Sequence, residues 1–245
     1  MLAIIGGSGL TKLAILEGVE RRSVRTPFGE TSAQLTIGQL DGRPLMFLPR
    51  HGDAHSLPPH QINYRANIWA LKDAGAEGVI AIATVGGIRR DLGPGTIVVP
   101  DQIIDYTWGR PSTFFEGPDA KVTHVDFTEP YSAALRRRVL EGAQRAGEVV
   151  FDGGVYGATQ GPRLESAAEI NRMERDGVDV VGMTGMPEAV LARELDLPYA
   201  AIAVVVNHAA GRGDSANGIA LAQLEVVLAA TITRVLAIAR AVVSE

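Results

Sequence analysis

The 245-residue sequence contains no cysteine, which excludes disulfide bonds, thiolate zinc sites, iron–sulfur clusters and a cysteine nucleophile. It also lacks an excess of positive charge: 23 Lys and Arg stand against 28 Asp and Glu, whereas a nucleic-acid-binding surface is basic. No stretch approaches the roughly 18 consecutive apolar residues of a membrane span, and the first residues carry no export signal. We therefore expect a cytoplasmic protein that binds neither nucleic acid nor membranes.

Common cofactor and metal signatures are absent as well. After Gly6-Gly7-Ser8-Gly9, a dinucleotide-binding fingerprint would need glycine at position 12, where Lys12 stands, and no G-x-x-x-x-G-K-[ST] motif occurs. Three histidines at 51, 55 and 60 lie close together, but no helical pattern carries a ligand pair and no third ligand follows at metal spacing. We expect neither a metal nor a cofactor.

Short β-branched runs alternate with helical patterns along the chain, which favours an α/β fold around a central sheet. Apolar runs predict strands at 2–5, 44–48, 78–83, 178–183 and 199–206. Apolar residues at helical spacing predict helices at 63–74, 132–146, 187–195 and 220–243. The segments at 111–119 and 208–218 are short enough to be loops over a site. We expect one domain spanning residues 1–245.

Three segments at predicted strand ends are suited to an anion, and strand ends are where open α/β sheets bind ligands. Residues 6–10 offer backbone amides and the Ser8 hydroxyl, and Thr84 begins a third glycine-containing turn at 84–87. Arg50 and His51 follow the strand at 44–48 and bring a guanidinium fork and an imidazole donor. We predict one shared oxyanion pocket. The alternatives are a plain tight turn at 6–10 and a solvated Arg50.

Five motifs make the sequence resemble the trimeric purine nucleoside phosphorylase and methylthioadenosine phosphorylase family: GGSGL at 6–10, RHG at 50–52, NYRANIWAL at 63–71, GPRLES at 161–166 and DVVGMTGMPE at 179–188. The resemblance covers nearly the whole chain, in order. It implies a single domain with a twisted mixed sheet flanked by helices, assembled as a homotrimer, with a hexamer as the alternative. It also implies the reaction, in which the co-substrate inorganic phosphate displaces a purine from C1′ of a (thio)ribonucleoside.

The resemblance further implies roles for individual positions. His124 resembles a histidine that reaches the 5′ pocket of a neighbouring subunit. Relatives often carry Thr-Ala or Asn-Ala at the positions where this chain has Ala83-Thr84. This order does not match the family's side-chain contact to phosphate, while the backbone amide remains available to bind it. Arg50, His51 and Asn207 are the implied catalytic residues. By the same resemblance phosphate is bound by Ser8, Arg50, His51, Thr84 and Thr184, the ribose by Met183, and the purine by Leu164, Glu165 and Asn207.

Asn207 and Glu165 indicate which purine is bound. An oxopurine offers an acceptor at O6 and donors at N1–H and, on leaving, N7–H; an asparagine amide serves O6 and N7–H, and a glutamate accepts N1–H. Adenine has an acceptor at N1 instead of a donor, so its N1 would face the Glu165 carboxylate without a hydrogen bond. Leaving a buried polar group unpaired in this way costs ~1–3 kcal/mol. Methylthioadenosine phosphorylases resemble one another in carrying aspartate at the position of Asn207 and again at that of Ala209. The alternatives are a strand-end cap for Asn207 and a helix N-terminal charge for Glu165.

Two apolar residues indicate the sugar. Leu224 occupies the position where inosine-using relatives carry a histidine, and Val227 follows on the same helix face. Burying a methylthio group there contributes about 1–2 kcal/mol, although Leu224 as plain core is the alternative. We therefore expect 5′-methylthioinosine to yield hypoxanthine and 5-methylthioribose 1-phosphate. Methylthioadenosine, inosine or guanosine as substrate, and a non-catalytic nucleoside-binding protein, are the alternatives. We expect His208 to face solvent.

Overall fold

The computed structural model describes residues 1–10 and 15–244, and the following elements belong to that part of the chain. The strands are β1 (Leu2–Gly6), β2 (Glu17–Arg22), β3 (Leu35–Leu40), β4 (Arg43–Pro49), β5 (Gly78–Gly87), β6 (Ile97–Val99), β7 (Gln102–Asp105), β8 (Phe151–Asp152), β9 (Val155–Ala158), β10 (Val180–Gly182) and β11 (Tyr199–His208). The helices are α1 (Tyr64–Asp73), α2 (Ala133–Arg145), α3 (Ala167–Arg175), α4 (Gly185–Glu194) and α5 (Leu221–Val243).

The described strands form one mixed sheet with β5 at its centre. On one edge of β5, β1 lies parallel to the first residues and β10 lies antiparallel to the last two. On the other edge β11 runs parallel to nearly its whole length. The order is β2-β3-β4-β1-β5-β10-β9-β7, and β6 and β8 continue the sheet from β11. The predicted α/β class with a mixed central sheet is confirmed.

Helices cover both faces of this sheet because the central strands are apolar on both sides. Successive side chains of a strand point to opposite faces. In β5, Ile80 and Ile82 therefore pack with α2 and α5, while Val79 and Ala81 pack with α1 and α4. Parallel strands buried on both faces leave ligands one place to bind, at the strand ends.

Polar caps fix the limits of the predicted helices. The Asn63 side chain accepts a hydrogen bond from the Ala66 amide, and Ser132 caps α2 in the same way at Leu135. At α3, Ser166 and Glu169 form a reciprocal capping box that holds the chain just after the GPRLES motif. The caps begin α1 and α2 one residue inside the predicted ranges.

The long helix α5 has an uneven environment. By length and a mean hydropathy of 2.0 over 18 residues it could span a membrane, although 33% of that window is buried inside the molecule. Its second half packs against the sheet through Val235, Ile238 and Val242, and Arg234 in its middle pairs with Glu148 at 2.6 Å. Packing in the core accounts for the apolar residues of this second half, whereas the first half is largely exposed, and the absence of membrane binding stays a prediction.

The prediction of a turn at residues 84–87 is wrong, whereas the phosphate contact of Thr84, which lines the cavity described below, stays a prediction. These residues continue β5: all four pair with β11 on one edge, and Gly86 and Gly87 also pair with β10 on the other. The glycines serve close packing instead: a Cβ on Gly87 would collide with the carbonyl oxygen of Leu92, and one on Gly86 would lie 3.3 Å from the Cα of Ala209.

Candidate active site

A cavity of about 160 Å³ opens where several strands end. Its walls come from the residues that follow β1, β4 and β10, from the last part of β5 and β11, and from the loop before α3. Most of the site residues predicted from the sequence meet here, although they come from distant parts of the chain. They are Ser8, Arg50, His51, Thr84, Leu164, Glu165, Met183, Thr184, Asn207 and Leu224.

Arg50 lies at the bottom of the cavity, held by a buried carboxylate. It is 1% exposed, and its Nε and Nη2 donate to the two oxygens of Glu188 at 2.6 and 2.8 Å. Its Nη1 donates to the carbonyl of Ile82 at 3.1 Å. A Cβ on Gly7 would lie 3.1 Å from that Nη1, so glycine lets the backbone approach the guanidinium. One N–H on each of Nη1 and Nη2 remains for a ligand.

Glu188, in the first turn of α4, is a residue whose role the sequence analysis missed. It is fully buried, and it also accepts a hydrogen bond from the Tyr199 hydroxyl at 2.9 Å. Burial alone would lower the pKa of Arg50, but the Glu188 carboxylate more than reverses this and holds that pKa above its ordinary value. The two charges therefore balance each other. The available signal was an acidic residue within the apolar run that begins α4.

His51 is neutral in this fold. Its Nδ1 lies 2.8 Å from the carbonyl oxygen of Leu57 and therefore carries the proton in the neutral ring, which leaves the lone pair on Nε2. Burial, together with the charges of Arg50 and His55 and against the opposing hydrogen bond to the Leu57 carbonyl, lowers the pKa of His51 to about 4. At neutral pH Nε2 thus accepts a hydrogen bond, for example from a P–O–H group, where the sequence predicted a donor.

Hydroxyl groups surround Arg50. Thr184 is the N-cap of α4, yet its side chain makes no capping bond, while its amide donates to the Tyr156 hydroxyl at 3.4 Å. The Ser8 hydroxyl lies 3.5 Å from Nε2 of His55. Among the described residues no group of three or more His, Asp or Glu side chains is arranged to hold a metal ion. These donors form a cradle suited to an oxyanion.

Asn207 lies at the other end of the cavity from Arg50: it pairs with Gly86, four residues along β5 from Ile82, whose carbonyl Arg50 contacts. The pairing of β11 with β5 shifts by one residue between Val205 and Asn207, which inserts Val206 as a bulge. Val206 and Asn207 therefore both line the cavity, although neighbours in a regular strand point to opposite faces. Nδ2 of Asn207 donates to the carbonyl of His208 at 2.6 Å, which fixes the amide and leaves Oδ1 and one N–H for a ligand.

Glu165 lies at the same end as Asn207. Its Oε1 accepts a hydrogen bond from the Thr159 hydroxyl at 2.6 Å, and Oε2 has no such partner among the described residues. Leu164 beside it is 40% exposed, a large apolar side chain at the mouth of the cavity. An acceptor, an amide and an apolar surface thus converge at one end of the cavity, with the oxyanion cradle at the other.

The third side of the cavity is apolar. Leu224 also lines an adjoining cavity of about 690 Å³, together with Leu228 and Ile232 one and two turns further along α5. Val227, predicted to share that face, lines neither cavity, because the apolar stripe runs from Leu224 through Leu228.

Two histidines lie outside the cavity. His124 is exposed on the chain between β7 and α2 and lines no wall of this cavity. His208 packs against Gly93 and Gly213, lies 3.8 Å from the Asp214 carboxylate and does not line the cavity. With 17% of its side chain exposed, it lies mostly under its own loop, whereas the sequence favoured solvent.

Comparisons with known proteins identify the family. The model of the phosphorylase superfamily matches residues 1–244. A probable S-methyl-5′-thioinosine phosphorylase of Xanthomonas campestris pv. campestris is 56% identical over 87% of this chain and 86% of its own length. The 6-oxopurine nucleoside phosphorylase of Pyrococcus furiosus is 46% identical over 86% of this chain and 80% of its own.

Solved structures agree. Methylthioadenosine phosphorylase from Schistosoma mansoni in complex with adenine superposes with a TM-score of 0.93 at 32% identity, covering 99% of this chain and 90% of that one. The chain belongs to the phosphorylase superfamily, and it is an enzyme of the purine nucleoside phosphorylase type, a pentosyltransferase. The family predicted from the sequence is confirmed.

We expect Glu188→Gln to destabilise the protein by about 3–5 kcal/mol, because it leaves the buried charge of Arg50 without its counter-ion. Denaturant unfolding monitored by tryptophan fluorescence measures this. Asp91→Asn is the matched control: Asp91 is bidentate to Arg89 at 2.6 and 2.7 Å but exposed, so we expect a change below about 1 kcal/mol. Equal losses in the two variants would contradict the central role of Glu188.

We expect the free energy of unfolding to fall as the pH is lowered from about 6.5 to 4, with His51 contributing on the order of 3 kcal/mol. The sign follows from the lowered pKa: in this window the unfolded chain binds a proton on His51 that the folded chain does not. His51→Gln should flatten the pH profile, and His60→Gln, at an exposed position, should leave it unchanged. Parallel profiles for wild type and His51→Gln would disprove this.

Proposed function

We propose that this chain catalyses the phosphorolysis of 5′-methylthioinosine to hypoxanthine and 5-methylthioribose 1-phosphate. The observation that carries the proposal is the convergence of Asn207 and Glu165 on one end of a cavity whose other end holds the Arg50 cradle. The apolar side at Leu224 supports a methylthio group in place of a 5′-hydroxyl. A relative named as a probable S-methyl-5′-thioinosine phosphorylase, more than half identical, supports the same substrate.

The proposed reaction is a displacement at C1′. Phosphate bound by Arg50 and the neighbouring hydroxyls lies below the sugar, the C1′–N9 bond breaks, and a phosphate oxygen bonds to C1′. The electron pair of the broken bond passes to the purine, which takes up a proton at N7 from solvent, while the hydrogen phosphate releases its own proton on becoming the sugar phosphate dianion. Oδ1 of Asn207 accepts that N7–H and its amide donates to O6, contacts that strengthen as the base leaves.

Charge balance at the phosphate end favours this chemistry. Glu188 offsets the charge of Arg50, and His51 is neutral, so the cradle binds phosphate mainly through directed hydrogen bonds. The negative charge of the phosphate then remains available to stabilise the positive charge that develops on the ribose in the transition state. Met183, between the two ends, lies where the ribose would pack.

We also propose the wider setting. The chain is one phosphorylase domain that acts in the cytoplasm as a homotrimer, without metal or cofactor, and it binds neither membranes nor nucleic acid. His124 is exposed and does not line the cavity of its own chain, which supports a role in the 5′ pocket of a neighbouring subunit.

A second candidate is the phosphorolysis of inosine or guanosine. The cavity adjoining Leu224 also carries His55 and Glu225, polar side chains that could bind a 5′-hydroxyl. The Pyrococcus furiosus relative named as a 6-oxopurine nucleoside phosphorylase supports this alternative. Both candidates share the base-reading residues and differ only at the 5′ position.

The test is phosphate-dependent base release from 5′-methylthioinosine, inosine and methylthioadenosine, measured side by side. We expect kcat/KM for methylthioinosine to exceed that for inosine by about tenfold, since burial of the methylthio group contributes about 1–2 kcal/mol. It should exceed that for methylthioadenosine by at least about 100-fold, because the adenine N1 faces a carboxylate. A higher kcat/KM for methylthioadenosine than for methylthioinosine would refute the base assignment. A higher kcat/KM for inosine than for methylthioinosine would favour the second candidate.

Substituting the two residues proposed to contact the base, Glu165 and Asn207, should shift the preference from methylthioinosine toward methylthioadenosine. In Glu165→Gln, Oε1 can still accept from Thr159 while the new amide donates to the adenine N1; in Asn207→Asp, the carboxylate accepts the adenine amino group. We expect each variant to shift the ratio of methylthioinosine to methylthioadenosine kcat/KM about 10- to 100-fold toward adenine. Glu225→Gln, a carboxylate at the 5′ end, is the control and should leave the ratio unchanged. An unchanged ratio in both base variants would contradict the proposal.

A further inference from the structure

Arg110 is a buried cation behind the base and ribose ends of the cavity. It lies in the chain after β7, is 8% exposed, and has no acidic partner among the described residues. Burying a charge without a counter-ion is unfavourable unless hydrogen bonds replace the lost water. This arginine is therefore held by neutral oxygens, and the positions of those oxygens show what it orders.

The guanidinium joins segments that are far apart in sequence. All three of its nitrogens donate, so the fork has a fixed orientation. The ring of Tyr64 lies against it, with the centroid 5.4 Å from Cζ. The acceptors are the carbonyl oxygens of Met183 (2.8 Å), Met186 (2.6 Å), Thr159 (3.1 Å) and Gln160 (2.8 Å), Oε1 of Gln160 (3.2 Å) and the Tyr64 hydroxyl (3.2 Å).

Two of these acceptors connect Arg110 to residues that line the cavity. Thr159, whose carbonyl Arg110 holds, donates its hydroxyl to the Glu165 carboxylate at 2.6 Å. Met183, whose carbonyl Arg110 also holds, lines the middle of the cavity. We propose that Arg110 is a positioning residue for nucleoside recognition: it fixes Glu165 through Thr159 and fixes Met183 directly. The proposal rests on the proposed function, in which Glu165 and Met183 contact base and ribose.

The phosphate end is held by other contacts. Arg50 is fixed by Glu188, and the Thr184 amide is bonded to the Tyr156 hydroxyl. Arg110 reaches this end only through the carbonyls of Met183 and Met186, which flank Thr184, so its loss should loosen the base and ribose end most. A purely structural role, by contrast, would weaken the binding of both substrates together.

The experiment compares Arg110→Lys and Arg110→Met with wild type by steady-state kinetics in both substrates. We expect KM for the nucleoside to rise about tenfold or more, since displacing a contact by about 1 Å can cost 100-fold. KM for phosphate should rise clearly less than KM for the nucleoside, because Glu188 still fixes Arg50, and the preference for methylthioinosine over methylthioadenosine should shrink. Arg110→Lys keeps the charge but not the fork and should lie between wild type and Arg110→Met.

Arg136→Met is the matched control, because Arg136 donates to the carbonyls of Val99 and Pro100 at 3.0 and 2.9 Å, away from the cavity. Thr159→Val tests the link separately: it removes the hydroxyl that contacts Glu165 and keeps the carbonyl that contacts Arg110. It should reduce the base preference even if Arg110→Met does not fold.

An equal rise of both KM values in the Arg110 variants, or an unchanged base preference in Thr159→Val, would overturn this proposal. Either outcome differs from a failure of the proposed function, which the wild-type substrate ranking reveals by itself. Should wild type prefer another nucleoside, the comparison of the two KM values is made with that nucleoside and still decides the role of Arg110.

Discussion

The buried ion pair between Arg50 and Glu188 is the interaction on which the site depends. Removing two charges from water is costly, and such a pair persists only when its remaining hydrogen-bonding groups are satisfied. Here the carbonyl of Ile82 and the hydroxyl of Tyr199 complete it, so β4, β5, α4 and β11 all meet at one point. Because the pair is as deeply buried as the hydrophobic core, the proposed phosphate-binding end is anchored in that core.

The two ends of the cavity are therefore held in place by different parts of the fold. The phosphate end is built from strand ends and a buried charge pair, whereas the base end depends on the loop at 159–165 and on the bulge before Asn207. A loop braced by one arginine can change its contacts without disturbing the sheet, but the Arg50 pair cannot change without exposing an unpaired charge. Binding of phosphate and choice of purine can thus vary independently on this scaffold.

Local patterns predicted much of this fold. The buried central strands and the capped helices have strong apolar periodicity, so their positions followed from the sequence. By contrast, all six residues of β2 are exposed, and β8 has only two residues, so neither has an apolar pattern to detect. Gly86 and Gly87 resembled a turn because sequence does not distinguish glycines that permit close packing from glycines that bend the chain. Glu188, Thr159 and Arg110 act through contacts between distant segments, which single-sequence patterns do not contain.

The apolar 5′ end links the choice of sugar to assembly. Burial of a methylthio group is favourable only where water is excluded, because the gain is proportional to the apolar area removed from water. In a single chain the cavity beside Leu224 is bordered by the first half of α5, where Leu221 is 64% and Val226 70% exposed. A wall that is this open to water discriminates poorly between a 5′-methylthio group and a 5′-hydroxyl. The proposed trimer and the proposed substrate therefore support each other: selectivity at this position requires a covering surface that one chain alone does not supply.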